Sequence, residues 1–89
     1  MNLYHLFIIR RPGVTQQTVE NLLGAAASWI RYHETCYVIE TSESAETWKE
    51  RLTEVFRPEG YIFICKLDKR DYEGWMQKNF WEWFQARLS

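Results

Sequence analysis

Two histidines, His5 and His33, and two cysteines, Cys36 and Cys65, are the residues of this chain best suited to proton transfer, nucleophilic attack or soft-metal binding. None stands at metal-ligand spacing: there is no Cys-x-x-Cys, no His-x-x-x-His and no His-Glu-x-x-His. No metal and no cofactor are therefore expected. His33 lies beside Glu34 and Thr35, where a general base could sit, but a histidine between two β-prone runs reads more simply as a solvated or locally packed turn residue. The cysteines fall inside apolar β-type runs, where a free thiol behaves as a small buried hydrophobe, so both are expected to be buried and unpaired. Glu46, Glu50 and Glu54 recur every four residues, the pattern of a solvated helix face rather than of a catalytic pair. No catalytic residue is assigned.

Cations offer a second kind of chemistry. Arg10 and Arg11 close the first β-type run, Arg31 stands near the hairpin, and Lys66, Lys69 and Arg70 follow the last strand. The first and last strands are neighbours in the topology argued below, which is expected to bring Arg10, Lys66 and Lys69 towards one edge. With Tyr32, Tyr61 and Trp75 available for stacking, this would make a groove for nucleic acid. Asp68, Asp71 and Glu73 interleave with those cations, however, and the formal net charge is −1. Such a balance supplies no long-range field to gather an anionic polymer or an anionic membrane.

The tail segment Phe80-Trp81-Glu82-Trp83-Phe84 cannot place every ring on one helix face. Phe80, Trp83 and Phe84 form a stripe expected to pack on the core, and Trp81 is expected to point away from it as a partner-contact residue. The residues assigned to recognition are Arg10, Arg11, Arg31, Tyr32 and Trp81.

The elements that must position these residues follow from periodicity. Leu3 to Ile9 is a β-favouring run stopped by Pro12-Gly13. Thr15 can cap a helix with Val19, Leu22, Leu23, Ala26 and Ala27 on one face. Ser28 to Tyr32 and Cys36 to Ile39 read as a hairpin. Ser44 caps a second helix with Trp48, Leu52, Val55 and Phe56 on one face, ended by Arg57-Pro58-Glu59-Gly60. Tyr61 to Leu67 is the fourth strand, and Trp75 to Leu88 returns to helical spacing. The order β-α-β-β-α-β predicts an α+β, ferredoxin-like domain with an antiparallel four-stranded sheet and a C-terminal aromatic helix, one domain over residues 1–89.

At 89 residues, 46% hydrophobic and 26% charged, the chain can bury one core and not two. Its fifteen Phe, Trp and Tyr residues exceed what that core needs. In this fold both helices cover one sheet face, yet the other face also carries apolar side chains, Phe7 and Ile9 on strand one and Phe63, Cys65 and Leu67 on strand four. The tail helix or a second copy of the chain must cover it, so a homodimer through the sheet face is expected. No apolar run is long enough to span a bilayer and no secretory pattern opens the chain, which predicts a cytoplasmic protein.

The run Trp29 to Ile39, the helix opening at Ser44-Ala45-Glu46, the strand Tyr61 to Leu67, the turn Arg11-Pro12-Gly13 and the tail Gly74-Trp75 with Trp81 and Trp83 resemble small bacterial SinR-like proteins. Those are related in fold to the CRISPR-associated adaptation nuclease and to VapD-type toxins. The resemblance runs nearly end to end and implies a ferredoxin-like fold that dimerises through its sheet, in a bacterial or phage regulatory or defence setting. Nucleases of the wider superfamily place an aspartate near the end of strand one to hold a divalent metal. Aligned on Pro12-Gly13, that position falls near Ile8, so the metal-dependent activity does not carry over.

The expected function is thus a non-catalytic dimeric interaction module that binds a protein partner. The alternatives are a nucleic-acid-binding protein, a degenerate ribonuclease using His33 with Arg10 or Arg31, and an antitoxin-like inhibitor.

Overall fold

The computed structural model describes residues 1–89. Strand β1 is Asn2–Ile9, helix α1 Gln16–Leu23, β2 Ser28–His33, β3 Cys36–Thr41, α2 Ala45–Arg51, the short α3 Thr53–Phe56, β4 Tyr61–Lys66 and α4 Lys78–Gln85. The strands form one antiparallel sheet in the order β2-β3-β1-β4, the ferredoxin-like arrangement expected from the element order.

Alternation along β1 decides which residues face the helices. Tyr4, Leu6 and Ile8 meet Val19 and Leu23 of α1, Trp48 of α2, Leu52 and Val55, with Tyr37 and Ile39 of β3 closing the core. Complete burial of such side chains contributes about 1.5–3 kcal/mol each, which makes this layer the main source of stability. The indole N–H of Trp48 is satisfied inside it: Trp48 Nε1 donates to Thr41 Oγ1 at 3.1 Å, both residues being buried. Helices α1 and α2 start where a hydroxyl can accept a free backbone N–H. Thr15 accepts from Thr18 and Ser44 from Thr47.

Three boundaries differ from the sequence expectation, each because a tertiary or local bond outweighs periodicity. Helix α1 stops at Leu23 rather than running to Ala27, since the Ala27 N–H already donates to Glu40 O at 2.9 Å as β2 joins β3. The second helix breaks at Leu52, whose ψ of 6° leaves the helical range, and the Thr53 hydroxyl bonds back to Lys49 O. The tail helix is Lys78–Gln85 rather than the whole of Trp75 to Leu88, and residues 67–77 instead form an irregular strap.

The strap and α4 cover part of the second sheet face. Leu3, Val38 and Phe84 form a small buried cluster there, with Ile30, Tyr32 and Leu67 packed around it. Arg87 fastens the end of the helix. Its guanidinium lies 4.2 Å from the Trp83 ring centre, donates to Ser28 Oγ, and approaches Glu40 at 3.5 Å. No helix is long and apolar enough to cross a membrane.

Candidate functional site

The residues assigned to recognition from the sequence do not form one surface. Because β1 and β4 are antiparallel, Lys66 sits opposite Tyr4 while Arg10 follows Ile9 at the other end of the pair. The expected edge of Arg10, Lys66 and Lys69 is therefore split across the length of the sheet. Lys69 is at the far end, its ammonium donating to Met1 O at 2.7 Å.

Each arginine is already engaged. Arg10 Nη1 donates to Val14 O and Arg11 Nε to Glu54 O, both at 2.7 Å, and Arg31 Nη2 donates to Glu34 O at 3.2 Å. These bonds fasten the β1–α1 turn, the α3 end and the hairpin. Arg31 and Arg10 also act together on the Tyr37 hydroxyl. Burial pushes its pKa up and Glu20 adds to the rise, while the two guanidiniums oppose it. His33 is the exposed last residue of β2, and its Nδ1 meets Thr35 Oγ1 across the turn at 3.3 Å.

Tyr32 and Trp81 lie on the opposite side of the sheet and line one cavity. Trp81 does not point into solvent. The strap folds back over it, so its ring lies 6.0 Å from Tyr72, 5.5 Å from Phe80 and 6.0 Å from Phe84. The Tyr32 hydroxyl shares a hydrogen bond with His5 Nε2, a contact that bridges β2 and β1 under the tail. Burial lowers the pKa of His5. The Tyr32 pKa is pushed up to about 12, first by burial and then by the neighbouring Cys36 and Cys65 thiols. Burial thus widens the pH range over which both members of the pair stay neutral, downwards for His5 and upwards for Tyr32. The cysteines are free, as expected, but half-buried rather than buried, because α4 stops short of their end of the face. No three His, Cys, Asp or Glu side chains are grouped as a metal ion would require.

Beyond the reach of α4 the second face stays bare. Phe7 and Phe63 are directly opposed on β1 and β4, and Tyr61 is opposed to Ile9 one pair further along. Phe63 is 63% exposed and Tyr61 69%, large values for aromatic rings, and no charged side chain shares this half of the face. Alternation in β1 and β4 pointed to this patch. His5 was harder to find, since its partner Tyr32 comes from a distant strand, and Tyr72 and Glu73 come from the strap, which has no periodicity to read.

Fold and site together define a ferredoxin-like α+β domain with an aromatic tail clasp, a bare aromatic half-face and a small aromatic cavity. No family model, curated protein or solved structure matches the chain.

Proposed function

We propose that this chain is a non-catalytic interaction module that pairs with a second copy of itself through the bare half of the sheet, as a cytoplasmic regulatory or defence protein that engages a protein partner. The observation that carries the pairing is the Phe7, Tyr61 and Phe63 patch on β1 and the edge strand β4. The patch bears no charge that would call for a charged occupant, so a like surface suits it, and a two-fold axis would set its aromatic row against the same row of the partner. The resemblance to SinR-like proteins supports the same pairing and supplies the bacterial or phage setting.

A second reading has one observation in its favour. Aromatic rings on the open face of a four-stranded sheet are platforms on which single-stranded bases stack. It ranks behind the first because Arg10, Arg11 and Arg31 each bond a backbone carbonyl of their own chain.

Light scattering on the purified chain decides between them. A dimer mass is expected, and Phe63→Glu is expected to give a folded monomer whose unfolding midpoint, unlike that of the parent, does not depend on protein concentration, since the side chain is exposed in the single chain. A monomeric parent would refute the pairing. A salt-sensitive mass increase with short RNA or DNA would promote the nucleic-acid reading.

A further inference from the structure

The cavity beneath the strap has a chemistry independent of the bare half-face. Its volume is about 200 Å³, and the side chains of Tyr32, Tyr72, Phe80, Trp81 and Phe84 are five of the eleven that line it. These rings come from three separate segments, β2, the strap and α4, so tertiary folding rather than one helix brings them together. The strap closes over them in contact: a Cβ placed on Gly74 would lie 3.7 Å from the Trp81 ring.

The charges around the cavity all have one sense. Glu73 is the single charged side chain in the lining, and it is exposed at the mouth. No Lys or Arg lines the space. His5, the one residue there able to become cationic, is held towards its neutral form by burial and shares its Nε2 with Tyr32. Aromatic faces carry negative π density, and a cation desolvated among several of them is attracted more strongly than one at an exposed site. A wall of five rings, an acid at the mouth and no competing cation are together selective for a positive guest with an apolar surface. A metal ion or bare ammonium would keep its water, whereas an alkylated ammonium sheds it readily and fills a space of this size.

We infer that the cavity between the strap and α4 binds an alkylated ammonium group, with Trp81 and Tyr72 as walls and Glu73 as counter-charge. The test is an NMR titration of the full chain with choline, following the Trp81 indole N–H, in parallel with 3,3-dimethylbutan-1-ol, the uncharged carbon isostere of choline. Saturable shifts with choline, about tenfold weaker with the isostere, are expected. Glu73→Gln should weaken choline severalfold, and because Glu73 is exposed this variant is expected to fold like the parent. Trp81→Leu should abolish the binding; should that variant not fold, Tyr72→Leu makes the same test. Equal binding of choline and the isostere would overturn the inference by showing a merely apolar pocket, and so would the absence of saturation with either. A short neutral peptide carrying trimethyllysine distinguishes the source of the group: tighter than choline, it assigns the cavity to a modified protein tail, and weaker, to a free small molecule.

Discussion

His5 and Tyr32 form a pair whose protonation is set by where the tail sits. Burial penalises the charged form of each, and the hydrogen bond between them joins β1 to β2 across the intervening β3. The consequence for stability has a sign on each side. The folded pKa of His5 lies below its ordinary value near 6.5, so as pH falls below that value the unfolded chain takes up a proton that the folded one refuses, and stability declines. The folded pKa of Tyr32 lies above 10, so stability is lost again as pH rises from 10 towards about 12. Urea unfolding from about pH 5 to about pH 11 should therefore show a plateau from about 6.5 to 10 with a decline on either side, the alkaline one shared with Tyr37, whose hydroxyl burial also pushes up. His5→Gln should flatten the acidic decline, and an unchanged acidic limb in that variant would remove His5 as its cause. The pair was not legible in the sequence. Nothing local links residue 5 to residue 32, and the bond exists only because the sheet order puts their strands on the same covered side.

At the scale of elements, the junction between α3 and β4 carries the tightest geometric requirement in the molecule. A Cβ on Gly60 would stand 2.1 Å from Ile9 O and 2.9 Å from both Arg11 N and Phe56 O, all backbone atoms that cannot swing aside. The glycine is needed so that β4 can enter the sheet directly against the end of β1. Gly60→Ala is expected to cost about 3 kcal/mol, read as a lowered urea midpoint, and a cost below about 1 kcal/mol would mean that the junction relaxes easily. Sequence punctuation placed this turn correctly through Pro58 and Gly60, but it did not reveal why glycine is required. Caps and alternation made most elements legible, as Thr15, Ser44 and the β1 pattern show. What escaped were the places where pairing overrode periodicity: the early end of α1 at Leu23, the break at Leu52, and the strap between β4 and α4.

For the molecule as a whole, the two sheet faces are unequal. One is sealed by α1, α2 and α3. The other is sealed over Leu3 and Val38 by a single short helix and left open over Phe7 and Phe63. Removing residues 68–89 would expose Leu3, Val38, Ile30 and Tyr32 together and join them to the patch already bare. Such a truncated chain is expected to form large assemblies by light scattering, whereas a stable, folded monomer would show that the tail is not a structural cover. The sequence established that this face needed covering, because its apolar residues alternate with those of the core. It could not apportion the face between tail and partner, since that depends on the length of α4 and the path of the strap.

The position of β1 in the sheet has a consequence for biosynthesis. Of the four strands the earliest to be synthesised is a central one, pairing with β3 on one side and with β4 on the other, from Tyr4 opposite Lys66 to Ile9 opposite Tyr61. Its second edge has no partner until the residues Tyr61–Lys66 of β4 have been made. During that interval the nascent chain exposes an apolar, hydrogen-bond-hungry ribbon, the kind of segment that trigger-type chaperones shield and that neighbouring chains on one polysome can capture.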